Sequence, residues 1–222
     1  AIGVATAQTL TLHYQDRPPY SSRADDGRVS GLVATPAERA LNAAGIPFRW
    51  ALTPSQRQLA LIQSGKGPHC GVGWFRTPER EAKGRFSRAL YRDRPLAALM
   101  RDAVALPQPL RVDALLADPR RRLLVKEGYS YGPALDEAIA GAASRPERTS
   151  VDPLQMARML LAARADWMIV SPEEAETLLA PGLRLVEFAD VSPGPTRHLY
   201  CSADLPDDWL VRIDRALAAT AR

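Results

Sequence analysis

His69–Phe75 (HCGVGWF) is an apolar run broken by two glycines and followed at once by Arg76-Thr77-Pro78-Glu79-Arg80-Glu81. It reads as a buried strand that ends at a loop. Working back toward the amino end, Ser55–Gln63 reads as a helix stopped by Ser64-Gly65, and Phe48–Leu52 as a short strand. Before it, Thr35 and Pro36 open a helix as N-cap and first-turn residue. Its apolar positions Ala37, Ala40, Leu41 and Ala44 recur at helical spacing, and Gly45 ends it. Leu10–Tyr14 (LTLHY) alternates apolar and polar residues as a strand does. The first ninety residues therefore read β-α-β-α-β. Two prolines in Asp16–Ser22 exclude both helix and ladder there, and Ala24–Arg28 is a polar turn.

The carboxyl half repeats this outline. Leu96–Val104 is extended and apolar, and Leu106–Leu110 is proline-rich. Leu123–Gly128 is a strand ending in glycine, Tyr131–Ala143 a helix, and Pro153 opens another helix with Met156, Met159, Leu160 and Ala163 inward. Asp166–Val170 is a strand, Ser171-Pro172 caps the next helix, and Leu183–Phe188 is a further strand. The loop Ser192–Pro195 leads to a strand at His198–Ser202, and Leu205–Ala219 closes the chain as a helix. Alternating strands and helices predict an α/β fold with parallel sheets covered by helices. Two such runs predict two lobes with a cleft between them.

The chain has 222 residues, 46% of them apolar and 24% charged, which excludes a disordered tail and a disulfide-dense miniprotein. Only Lys66, Lys83 and Lys126 are lysines, so arginine supplies 26 of the 29 cations. Acidic residues are interleaved with them, which argues against a phosphate-tracking stripe and against nucleic-acid binding. Cys70 and Cys201 lie 131 positions apart, which is neither a zinc spacing nor a redox pair. Spacing leaves open whether they form one disulfide or two buried thiols. No stretch is long and apolar enough for a membrane span. Ala5-Thr6-Ala7 has the small-x-small form of a signal-peptidase site, and an ordinary strand-leading terminus reads equally well.

In α/β sheets, ligands bind at the carboxyl ends of strands and at helix amino termini. That singles out Asp16–Ser22, Trp74–Arg80 and Gly128–Gly132. Ser130 caps a helix there or offers its hydroxyl to an anion, and arginine suits a carboxylate because its planar fork grips both oxygens.

The segments PPYSS (18–22), DGRVSG (26–31), CGVGWFRTPERE (70–81), GRFSRALYRD (84–93), KEGYSYG (126–132) and RADWMIV (164–170) resemble the family 3 extracellular solute-binding proteins, receptors of bacterial ABC importers. The similarity runs from Leu10 to Ala219, and its most specific piece is Thr77–Glu81 followed by Phe86-Ser87. The resemblance implies a type II periplasmic-binding fold that closes on its ligand, with a first lobe of residues 8–93 and 196–222 and a second of 94–195. It implies a periplasmic, monomeric protein without metal or cofactor, serving a small-molecule ligand and an ABC permease or another periplasmic protein.

By position, Arg80 matches the arginine that holds the ligand α-carboxylate, with Thr77 in the same loop and Ser130 as a second-lobe hydroxyl. Tyr20 stands in the aromatic position of its loop, and Tyr14 precedes that loop on the first strand. The family's acid for the α-ammonium falls on Ser171, a small hydroxyl becomes Phe75, and Arg17 stands where an aromatic ring often covers the ligand. Gly31–Pro36 lacks both acids of the corresponding stretch. The carboxylate grip is kept and the amine grip is lost. With Trp74 and Tyr131, the site is expected to be arginine-rich and aromatic, and to take an organic acid or other anionic molecule.

Two other roles compete. One is an accessory or sensory module read by a protein partner. The other is a dehydratase-like enzyme, for which Glu79, Glu81, Asp166, Glu173 and Glu174 are the available acids; the expectation is no enzyme. Arg120-Arg121-Arg122 reads as a solvated face. His69 and Cys70 point to opposite faces of a strand and cannot share a proton. His13 and His198 are left without an assigned partner.

Overall fold

The computed structural model describes residues 8–191 and 193–220. The cleavage-site reading at Ala5–Ala7 and Ser192 of the Ser192–Pro195 loop lie outside them. The amino-terminal elements are β1 (Leu10–Tyr14), β2 (Ser22–Arg23), β3 (Val29–Ser30), α1 (Ala34–Ala43), β4 (Phe48–Leu52), α2 (Ser55–Gln63), β5 (His69–Trp74), α3 (Pro78–Glu81) and β6 (Gly84–Arg92). Next come β7 (Ala97–Arg101), α4 (Val112–Ala117), β8 (Leu123–Lys126), α5 (Pro133–Ala140) and β9 (Glu147–Thr149). The chain continues through α6 (Pro153–Leu161), β10 (Trp167–Val170), α7 (Pro172–Leu178), β11 (Leu183–Glu187), β12 (Thr196–Ser202) and α8 (Asp207–Thr220). Two compact units result. Unit 1 is the chain up to Tyr91 and from Thr196 onward; unit 2 is Arg92–Pro195.

Unit 1 carries a five-stranded sheet in the order β4-β1-β5-β12-β6. β1 runs parallel to both β4 and β5, with Leu12 beside Trp50 and Cys70, while β12 is antiparallel to β5. All five residues of β1 are buried, so this strand is covered on both faces. One face packs Leu10, Leu12, Cys70, Val72 and Leu199 against Ala37 and Leu41 of α1 and Ile213 and Leu217 of α8. The alanines on α1 leave little side-chain bulk between helix and sheet. Cys70 and Cys201 stand opposite each other on β5 and β12 and form a disulfide, which settles the alternative left open by spacing.

The start of α1 differs from the expected Thr35 cap. The helix begins at Ala34 after Val33, with no side-chain cap bond. The Tyr20 carbonyl accepts from the N–H groups of both Val33 and Ala34, at 3.0 and 3.3 Å. A backbone acceptor thus satisfies donors that a cap residue would otherwise take, and the Thr35 hydroxyl accepts from Gly31 N–H instead.

Unit 2 carries a second five-stranded sheet in the order β11-β7-β10-β8-β9. β10 is parallel to β8 and antiparallel to β7, so this sheet, like that of unit 1, mixes the expected parallel strands with antiparallel ones. Alternate residues serve opposite faces. Ala98, Met100, Leu123, Val125, Trp167 and Ile169 meet one cluster with α4 and α5. Leu99, Leu124, Met168 and Val170 meet the other, with Met156 and Leu160 of α6 and Leu178 of α7.

Six elements have no clear sequence signal: β6, α3, α4 and β9, which are amphipathic or short, and the two strands of the β2–β3 ribbon. The arginine run at 120–122 is not uniformly solvated. Arg122 donates to the Ala163 and Arg164 carbonyls, and its backbone N–H to Asp166 at 2.8 Å.

Candidate functional site

The site residues in unit 1 are placed by the two glycines of β5. Gly73 has φ +79, a left-handed value that favours glycine, and the β5–β12 register shifts between His198 and Tyr200 beside it. The irregularity breaks the alternation of side chains. Cys70 and Val72 join the α1 cluster, whereas Trp74 joins Ile62, Phe86 and Tyr200. A β-carbon on Gly71 would occupy the place of the Trp74 indole nitrogen. With glycine there, that nitrogen donates to Gln58 Oε1 at 3.0 Å, and Gln58 Nε2 donates to the Thr53 carbonyl at 2.8 Å.

The chain then turns through Phe75–Thr77 into the single turn of α3. The Thr77 hydroxyl caps it by accepting from Arg80 N–H at 3.3 Å. This aims Arg80 back at the strand end. Its guanidinium lies 4.8 Å from the Trp74 ring centre, and Nη1 donates to the Phe75 carbonyl at 2.8 Å. The Tyr200 hydroxyl donates to the Arg80 carbonyl at 3.0 Å. Arg80 is only 8% exposed, so its charge is held in a weakly screening environment where charge-assisted bonds are strong.

A second cation-aromatic array starts from the loop after β1. Arg17 and Ser21 pair through their backbones, folding Pro18–Tyr20 into a tight turn. Tyr20 is thereby buried, with the Arg17 guanidinium 5.3 Å from its ring centre. Nothing in the sequence around Arg197 distinguishes it. In the structure its guanidinium lies 3.7 Å from the Tyr20 ring centre and 4.5 Å from that of Phe75, and Nη1 donates to the Gly73 carbonyl at 3.2 Å. Arg17, Tyr20, Arg197 and Phe75 thus alternate charge and ring, at distances where the ring quadrupole attracts a cation. Arg80 joins through the Phe75 carbonyl.

Tyr14 sits apart from this array, edge-on to Trp50 with ring centres 5.6 Å apart. Three expected residues belong to unit 2. The Ser130 hydroxyl donates to Asp136 and accepts from Gly132 N–H. A hydroxyl has one hydrogen, and Asp136 takes it here. Tyr131 N–H donates to the other Asp136 oxygen, and the Tyr131 hydroxyl accepts from Lys126 N–H. Tyr131 also lines a cavity of about 220 Å³ with Val125, Lys126, Tyr129 and Ile139. Ser171 caps α7 by accepting from Glu174 N–H at 3.3 Å.

The acids weighed for an enzyme have structural partners. Glu79 pairs with Lys83, Glu81 with Arg76, and Glu173 accepts from Arg94 N–H. Asp166 is penalised by burial, but bonds from Arg122 and Arg101 hold its carboxyl below the ordinary value.

Both histidines left without partners have them. His13 Nδ1 lies 2.8 Å from the Thr53 hydroxyl, and Nε2 lies 3.0 Å from His69 Nδ1. The Thr53 hydroxyl donates to the Ala51 carbonyl, so a neutral His13 donates from Nδ1 and accepts at Nε2 from His69. Burial, then the charges of His69, Arg49 and Arg57, lower its pKa from 6.5 to about 4. His198 meets the Ser87 carbonyl and the Thr196 hydroxyl, and burial lowers its pKa as well. Among the described residues no group of three or more histidine, cysteine or acidic side chains is arranged to hold a metal ion.

No protein-family model matches the chain, and no curated protein matches it. Solved structures do. An ancestral arginine-binding protein bound to arginine superposes with a TM-score of 0.77 at 16% identity, over 96% of this chain and 92% of that one. The structure reported for glutathione import via GshT and the cystine ABC importer TcyBC of Streptococcus mutans gives 0.78 at 16%, over 96% and 89%. The ancestral amino acid-binding protein AncCDT-1, a precursor of cyclohexadienyl dehydratase, gives 0.75 at 18%, over 96% and 89%. At these identities the likeness is one of fold. The chain has the periplasmic-binding fold of these proteins.

Proposed function

We propose that this chain is a solute-binding protein of the family 3 kind that takes a small carboxylate-bearing ligand and carries out no chemistry on it. The observation that carries this is the position of Arg80. A buried guanidinium is fixed by a capped turn and an aromatic face at the carboxyl end of β5, the end of an α/β sheet where ligands are received. A carboxylate arriving there exchanges water for a charge-assisted bond in a medium that screens it poorly. Thr77 sets the geometry, and Tyr20, Phe75, Trp74 and Arg17 give the surroundings a flat, aromatic and cationic character.

The ligand is an organic acid rather than an ordinary α-amino acid, a reading supported by the family resemblance, which puts Ser171 at the position of the family's acid for the ammonium group. Export to the periplasm agrees with the Cys70–Cys201 disulfide, a bond that persists in oxidising compartments. Among the described residues no helix is long and apolar enough to cross a membrane. An ABC permease is the natural partner of such a receptor.

A thermal-shift screen of mono- and dicarboxylates and of amino acids, followed by calorimetric titration of any hit, tests the reading. A ligand that binds only the folded chain raises its melting temperature by mass action. Stabilisation by amine-free carboxylates is the expected outcome. Tight binding of basic amino acids alone overturns it. Inertness toward the whole panel, with capture of a periplasmic protein, replaces it by the accessory-module role.

A further inference from the structure

Two aromatic faces within 6 Å of one guanidinium make a complete cation slot, and in unit 1 the cation in that slot belongs to the chain itself. Tyr20 is 2% exposed, Phe75 8% and Arg197 4%. The ring centres lie 3.7 and 4.5 Å from the Arg197 guanidinium carbon, and the Gly73 carbonyl accepts from Nη1 at 3.2 Å. The three parts come from separate places in the chain: the loop after β1, the residue after β5, and the second residue of β12. The Tyr20 backbone is held by its carbonyl, which accepts from Val33 and Ala34 N–H, and the Gly73 carbonyl lies at the irregular end of β5.

We propose that Arg197 is a built-in occupant of this slot and a determinant of ligand class. By filling the space between Tyr20 and Phe75 it refuses guanidinium and ammonium groups that the two rings and the carbonyl would otherwise attract. The inference deepens the reading of unit 1 as the site of an anionic ligand and rests on it for its biological meaning. Arg197 selects by occupying space and supplying like charge, both of which disfavour a cationic ligand.

Vacating the slot tests this directly. Arg197→Ala removes the guanidinium and leaves both rings and the carbonyl in place. The probe is methylguanidinium, with sodium chloride at equal ionic strength as control. The expected result is a lower melting temperature for R197A, recovered by about 3–6 °C once the probe is at tenfold its dissociation constant. The wild type and R197K, which keeps a cation in the slot, show no such gain.

Where R197A gives no folded protein, R197T vacates the same space with a residue suited to a strand and is read in the same way. An equal response in wild type and variant, or none in either R197A or R197T, overturns the proposal. The carboxylate screen is a separate arm. Recovery by methylguanidinium without carboxylate binding leaves the slot standing and removes the anion receptor. Carboxylate binding without recovery does the reverse.

Discussion

The indole nitrogen of Trp74 occupies the space that a β-carbon on Gly71 would fill, and from there it donates to Gln58 Oε1 at 3.0 Å. The absence of one methyl group thus sets the orientation of the ring against which Arg80 is laid.

Substituting Gly71→Ala must move that ring or break its bond to Gln58. Overpacking and a lost buried hydrogen bond together are expected to cost about 2–4 kcal/mol. Urea unfolding followed by tryptophan fluorescence measures it. A midpoint unchanged from wild type would show that the indole has another place to go.

Arg80 is expected to carry ligand affinity out of proportion to its share of the core. Arg80→Met keeps an apolar stem against Trp74 and deletes the charge, and a carboxylate identified by the screen should bind about 100-fold more weakly or worse. Arg80→Lys restores charge without the planar fork and should recover only part of the loss. Calorimetric titration reads both, and equal affinities in all three proteins would remove Arg80 from the site.

The Cys70–Cys201 bond closes a loop of 131 residues that contains all of unit 2. Replacing both cysteines with alanine should cost about 2–5 kcal/mol, chiefly by releasing the unfolded chain. Unfolding of the wild type with and without reductant should reproduce the difference, while the double variant should ignore reductant.

Acid should destabilise unit 1 through His13. In the unfolded chain this group takes a proton near its ordinary value of 6.5, whereas in the folded chain it does so only at about 4. Between those values the unfolded state holds more protons, so stability is complete above pH 6.5 and falls as pH drops toward 4. The loss attributable to His13 is at most about 3 kcal/mol. Burial is the first cause and His69 the second, since a proton on Nε2 would face the Nδ1–H of His69. His198, also lowered by burial, acts in the same sense. Urea midpoints between pH 4.5 and 8 measure the slope, and His13→Asn should flatten it.

Much of the local structure was legible because its causes are local. Ser55–Gln63 and Phe48–Leu52 fall where the pattern put them, since helical and strand periodicities differ and Gly, Pro and Ser mark the ends. Ser171 was legible as a cap for the same reason. The start of α1 is not legible because its cap is the Tyr20 carbonyl, a backbone atom more than ten positions away that no residue preference announces. The Ser130 hydroxyl is engaged by Asp136, one turn into α5, a pairing that the residue type alone does not announce.

Of the candidate site, Arg80 and Thr77 are expected from the family resemblance, and their juxtaposition is local in the chain. Thr77, Pro78 and Arg80 lie within a single turn, so the cap that aims Arg80 is written in consecutive letters. Only the tertiary structure decided the rest. Arg197 is one arginine among 26, and nothing near it in the chain distinguishes it. It meets Tyr20 and Phe75 because β12 returns antiparallel beside β5 after the whole of unit 2 has intervened. Periodicity reports which face of its own element a residue lies on; which distant ring that face meets is settled by strand order and register, and those are properties of the folded sheet.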